Sequence, residues 1–150
     1  MEIRQILAPT DCSDLSTHAI EYAYELAQKF GAKLLLLYVV EQPAFPIEGY
    51  VPRRVGVPLI EDLQHQADLE LEGILSAAQG ITVEIARHVA TGTPYRKIVE
   101  IAEAENVDLI VMATQGRTGL SHLVMGSVAE RVVRTASCPV LTIRMTRPTT

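Results

Sequence analysis

The apolar and polar positions along the chain alternate between a strand-like and a helix-like period. Ile3 to Ala8 reads as a short apolar strand that Pro9-Thr10-Asp11 should end. Leu15, Ala19, Tyr22, Leu26 and Phe30 then recur at helical spacing, with Asp11 or Ser13 placed to cap the helix and Gly31 where a left-handed terminal residue belongs. Lys33 to Val40 is nearly unbroken apolar sequence, as expected of a central parallel strand covered on both faces. Residues 41–58 contain Pro43, Pro46, Pro52 and Pro58 together with Gly49 and Gly56, which excludes a regular helix or interior strand. A loop that long is usually functional or mobile.

Helical spacing returns from Leu59 to Ala78 through Leu63, Ala67, Leu71, Ile74 and Leu75, and Gly80 closes it. Thr82 to Val89 alternates as a strand. Thr93-Pro94 sets a capping residue before a proline at the first helical position, opening a helix through Ile98, Ile101 and Ala102 that fades at Asn106. Leu109 to Ala113 has the β-branched content of a buried strand. A helix from Ser127 to about Arg134 follows, with Val128 and Val132 turned inward and Ser127-Val-Ala-Glu130 patterned as a capping box. After Cys138-Pro139, Val140 to Ile143 is a last strand, and residues 144–150 read as a frayed tail.

Strand and helix alternate throughout, which predicts an α/β fold: one doubly wound, five-stranded parallel sheet with helices on both faces. With strand order 3-2-1-4-5, ligands are expected beyond the carboxyl ends of the strands where the order reverses, between the first and fourth strands. Those strands end in Pro9-Thr10-Asp11 and in the stretch 113–127, which holds Gly116, Gly119 and Gly126 before Ser127. A helix N-terminus behind glycines offers free amides and partial positive charge to a phosphate. Taken alone, the same stretch also fits an ordinary strand-to-helix connection. It is neither a Walker A loop nor a dinucleotide fingerprint, because Gly-Lys-Ser/Thr and GxGxxG are both absent.

Length and composition narrow the rest. One hundred and fifty residues, 48% hydrophobic and 21% charged, suit a single globular domain spanning 1–150. A net charge of -5 argues against a broad nucleic-acid surface but leaves room for a nucleotide, which needs only local donors. No apolar run reaches membrane-spanning length, and the start lacks the layout of a signal peptide, so a cytoplasmic protein is expected, with no membrane partner. Cys12 and Cys138 form no metal-ligand pair, and His18, His65, His88 and His122 show no zinc spacing. No catalytic residue set emerges. Asp11 is the only carboxylate expected at the crevice, as an acceptor for a base amine or as a helix cap.

At these residues the chain resembles the universal stress protein family over nearly its whole length. The matching features are Ile6-Leu-Ala-Pro-Thr-Asp11, the Leu34–Val40 strand, Gly92-Thr-Pro94, Asp108-Leu-Ile-Val-Met112, Gly116 spaced before Gly126-Ser127, and Cys138-Pro-Val-Leu141. The ATP-binding branch carries Gly-x2-Gly-x9-Gly-Ser/Thr, and here Ala113 replaces the first glycine. The resemblance implies an ATP site with Asp11 and Val39 at the adenine, Pro9 and Ala113 at the ribose, and Gly116, Gly126, Ser127 and Val128 around the phosphates. Thr10, Met112 and Arg117 belong to the same expected set. Any Mg or Mn would be held mainly by the phosphates. The resemblance further implies a regulatory stress-response homodimer with slow ATP hydrolysis at most. Pairing is expected through the last strand, because Val140, Leu141 and Ile143 are too apolar for a bare sheet edge unless the tail shields it. The alternative is a nucleotide-free protein-interaction module of the same fold. A small nucleotide-using transferase would need a further substrate domain or a basic catalytic cluster, and neither is visible.

Overall fold

Nearly continuous apolar strands need cover on both faces, and the architecture supplies it. The computed structural model describes residues 1–41, 57–77, 82–115 and 125–144, apart from the side chains of 57–60. In chain order the elements are β1 (Gln5–Thr10), α1 (Asp14–Phe30), β2 (Lys33–Val40), α2 (Val57–Ala77), β3 (Ile85–Thr91), α3 (Pro94–Ala104), β4 (Leu109–Ala113), α4 (Ser127–Thr135) and β5 (Val140–Ile143). The five strands form one parallel sheet in the order β3-β2-β1-β4-β5, as expected. One face packs Ile6, Leu34, Leu36 and Val111 against Ala19 and Ala23 of α1 and Leu71 of α2. The other packs Leu7, Leu35, Leu37 and Ile110 against Ile98 of α3 and Val132 of α4. Among the described residues no helix is long and apolar enough to cross a membrane.

Local sequence explains most of the boundaries. Ser13, not Asp11, caps α1: its side chain accepts a hydrogen bond from the Ser16 amide. Gly31 adopts φ 64°, a left-handed conformation that glycine takes without a Cβ penalty, and the Ala32 amide reaches back to the Ala27 carbonyl. Asn106, at φ 51°, performs the same turn after α3. The predicted loop 41–58 falls mostly outside the described residues, and so do Ala78, Gly80 and the tail from 145. α2 begins at Val57, so Pro58 lies in the first helical turn, where a missing N–H costs no hydrogen bond.

Three expectations need correction. β3 begins at Ile85, not Thr82, because its neighbour β2 begins only at Lys33 and the Leu34 amide bonds to the Glu84 carbonyl. α4 is capped by Gly126 with no side-chain hydrogen bond, so Ser127 is the first helical residue and the Ser127–Glu130 capping box does not form. Glu130 instead pairs with Arg134, 2.7 Å away.

The third correction matters most for function. β1 does not stop at Pro9; it continues through Pro9 and Thr10, paired with Leu37 and Tyr38 of β2. The Arg4 carbonyl accepts from Lys33 on the β2 side, and the Gln5 carbonyl accepts from Asp108 on the β4 side. Backbone groups alternate in direction along a strand, so position 9 faces β4. Proline has no N–H to give there. Pairing between β1 and β4 accordingly ends at Leu7 and Ile110, and the two strands part beyond it. The missing amide falls where the strand order reverses and the crevice opens.

Candidate functional site

A cavity of 490 Å³ occupies that gap, within the size range of small-molecule sites. Its floor is the ends of β1, β2 and β4, and its far wall is the first turns of α3 and α4. On the β1 side the wall is a small hydroxyl network. Thr10 and Ser16, both buried, share a hydrogen bond of 3.0 Å between their hydroxyls. Thr10 Oγ1 also accepts from the Cys12 amide at 2.9 Å, and Asp11 Oδ1 accepts from the Ser13 amide at 3.0 Å. These bonds hold Cys12 at φ 61°, a conformation costly for a residue with a Cβ, by about 1–2 kcal/mol. The turn fixes Asp11 at the cavity rim in a defined geometry.

The opposite wall is rich in donors. α4 points its N-terminal turn at the cavity through Gly126, Ser127, Val128 and Ala129, and α3 does so through Pro94. Thr93 makes no side-chain cap hydrogen bond and Gly126 has no side chain to cap with, whereas Ser13 caps α1. Gly126 is needed for a close approach: its amide bonds to the Thr114 carbonyl at 2.6 Å, and a Cβ there would lie 3.1 Å from that oxygen. The glycine therefore seats α4 on the end of β4. Ala113, standing where the ATP-binding branch has a glycine, is a regular β4 residue with no positive φ and only 8% exposed. Its methyl group packs into the core on the α1 face, so alanine is well accommodated. Ala113→Gly is expected to change nucleotide affinity by less than about twofold while lowering stability by roughly 0.5–1 kcal/mol, measured by calorimetry and urea unfolding.

Of the residues expected at the site, Pro9, Thr10, Asp11, Val39, Met112, Ala113, Gly126, Ser127 and Val128 all line the cavity. Gly116 and Arg117 lie outside the described residues. The sequence reading missed Ser16, Leu37, Tyr38, Glu41, Pro94, Ile98, Thr114, Gln115 and Ala129, which line it as well. The strand-end residues among them carry no motif, but Pro94 had a signal: a proline opening a helix after β3 must lie at the carboxyl edge of the sheet. Among the described residues no group of His, Cys, Asp and Glu could hold a metal ion. Both cysteines are half-buried, and burial pushes the Cys138 thiol above its usual pKa.

The comparisons with known proteins agree with this architecture. The model of the universal stress protein family matches residues 2–144. The chain belongs to the universal stress protein family. It is 39% identical to universal stress protein MJ0531 of Methanocaldococcus jannaschii over 145 residues, covering 94% of this chain and 82% of the relative. The solved structure of MJ0577, a universal stress protein of the same organism, superposes with a TM-score of 0.85 at 26% identity, covering 98% of this chain and 99% of that one. Two more distant members share the fold. One is a universal stress protein in complex with cAMP, with a TM-score of 0.63 at 23% identity, covering 96% of this chain and 98% of that one. The other is that of Archaeoglobus fulgidus in complex with dAMP, with a TM-score of 0.64 at 22% identity, covering 96% of this chain and all of that one (100%).

Proposed function

We propose that this universal stress protein binds ATP in the crevice between β1 and β4 and acts as a cytoplasmic regulatory homodimer. The observation that carries the reading is the pairing of uncapped α3 and α4 N-termini with Asp11 across one cavity. Unsatisfied amides with partial positive charge suit the phosphates, and a carboxylate at the opposite rim suits the exocyclic amine of a base. Asp11 and Val39 would border the adenine, Pro9 and Ala113 the ribose, and Gly126, Ser127 and Val128 the phosphates. The cAMP and dAMP complexes of fold neighbours support an adenine nucleotide as the ligand class. Mg or Mn would be carried chiefly by the phosphates, since the described residues offer no ligand cluster. Among the described residues no nucleophile is paired with a general base across the cavity; in this reading the bound state itself is the signal, and hydrolysis is slow at most.

The test is mass spectrometry of gently purified protein for co-purifying nucleotide, followed by calorimetric titration with ATP. One ATP per chain is expected. A protein that carries no nucleotide and gives no heat with ATP would leave the protein-interaction module as the surviving reading.

A further inference from the structure

Outside the cavity lining, the N-terminal halves of α3 and α4 carry a second constellation. Tyr95, half-buried, packs against the core beneath α3 and α4. The Arg131 guanidinium lies over its ring, 5.0 Å from the centroid. Arg96 Nε donates to the Tyr95 hydroxyl at 2.9 Å, and its guanidinium is 5.7 Å from the same ring. The hydrogen bond from Arg96 and the charges of both arginines lower the phenol pKa below its usual value. Among the described residues neither guanidinium pairs with a carboxylate, whereas Arg4, Arg87 and Arg134 all do. Two exposed arginines are thus gathered on one aromatic post, in a protein of net charge -5, with their charge uncompensated.

Their position connects them to the crevice. Arg131 is four residues beyond Ser127 on α4, on the same helix face and about 6 Å along the axis. Helical side chains lean toward the N-terminus, so Arg131 covers the turn that begins at Ser127. Arg96 is the third residue of α3, two positions after Pro94, which lines the cavity. Resting on the nucleotide reading above, we propose that Arg96 and Arg131, held in place by Tyr95, are the site that takes the outer phosphates of a nucleotide whose inner phosphate lies on the α4 amides. Guanidinium forks match phosphate oxygens in bidentate geometry, and the cation–π contact orders them before the ligand arrives. The pair makes the crevice selective for a phosphate chain over a monophosphate. Tyr95 is a positioning residue, and the arginines make the contacts.

Calorimetric titration of wild type and of the Arg96→Met/Arg131→Met double variant with ATP, ADP and AMP tests this. The double variant is expected to lose about tenfold or more in ATP affinity, less for ADP, and under about twofold for AMP. Tyr95→Phe, which keeps the ring under Arg131 and removes the acceptor for Arg96, is expected to fall between the two. Circular dichroism melts confirm that each variant is folded. Wild type binding ATP and AMP with a ratio that the double variant leaves unchanged would overturn the inference alone, and so would equal losses for both nucleotides. Wild type binding none of the three would overturn the nucleotide reading and the inference together.

Discussion

Gly126→Val is expected to lower ATP affinity by more than about a hundredfold and to cost roughly 1–3 kcal/mol of stability. Two effects of the same contact combine. A Cβ on Gly126 would sit 3.1 Å from the Thr114 carbonyl oxygen and 3.5 Å from Gln115 Cα, so the position is not open surface. A valine must push the first turn of α4 off the end of β4. The 2.6 Å hydrogen bond from the Gly126 amide to Thr114 then stretches, and the amides of Ser127 and Val128 move with the turn. Losing two charge-assisted hydrogen bonds to phosphate, each worth about 1.5–3 kcal/mol, gives the stated loss of affinity. Gly126→Ala separates the effects, because one methyl needs a shift of only a few tenths of an ångström; its loss should be intermediate in both measurements. The checks are calorimetric titration and urea unfolding of both variants. A folded valine variant that binds ATP like wild type would remove the mouth of α4 from the site.

That prediction illustrates what could be read from the chain and what could not. The glycine's presence before Ser127 was visible, and so was its place at a helix N-terminus. Its reason was not: sequence suggests room for a phosphate, whereas the structure shows a close approach to the Thr114 carbonyl just after β4. Ser127 was misassigned for a related cause. Ser-x-x-Glu satisfies the local pattern of a capping box, but the seat of Gly126 on Thr114 starts the helix one residue earlier, and the pattern is overridden by a tertiary contact. Strand order was legible because periodicity, alternation and the handedness of crossovers leave few parallel topologies. The crevice followed from that order. The continuation of β1 through Pro9 did not, because a proline normally ends a strand, and here it removes only the bond to one neighbour. Residues such as Ser16 and Ile98 reach the cavity by packing distance alone, which no local pattern encodes.

Leu141→Lys is expected to convert the proposed dimer to a monomer with little effect on the fold. β5 is an edge strand in the described sheet, and its side chains differ sharply in environment. Ile143, expected at the interface, is 7% exposed and belongs to the core on the α1 face, so a lysine there would test folding and not assembly. Val140 is half-buried against the α3 and α4 face. Leu141 is 39% exposed and is the apolar side chain the edge presents. The carbonyls of Pro139 and Ile143 accept from Ile110 of β4 and from Thr114 just beyond it, so alternation turns the backbone groups of Val140 and Thr142 outward. A twin β5 running antiparallel about a two-fold axis would satisfy those groups and cover Leu141 in both copies. Losing about 1.5 kcal/mol per copy and placing two ammonium groups near the axis should raise the dimer dissociation constant at least about a hundredfold. The lysine stem can lie along the edge with its charge in water, so the monomer should melt within a few degrees of wild type. Sedimentation velocity on both proteins decides the matter: a variant that sediments as the wild-type dimer places the interface on some other surface.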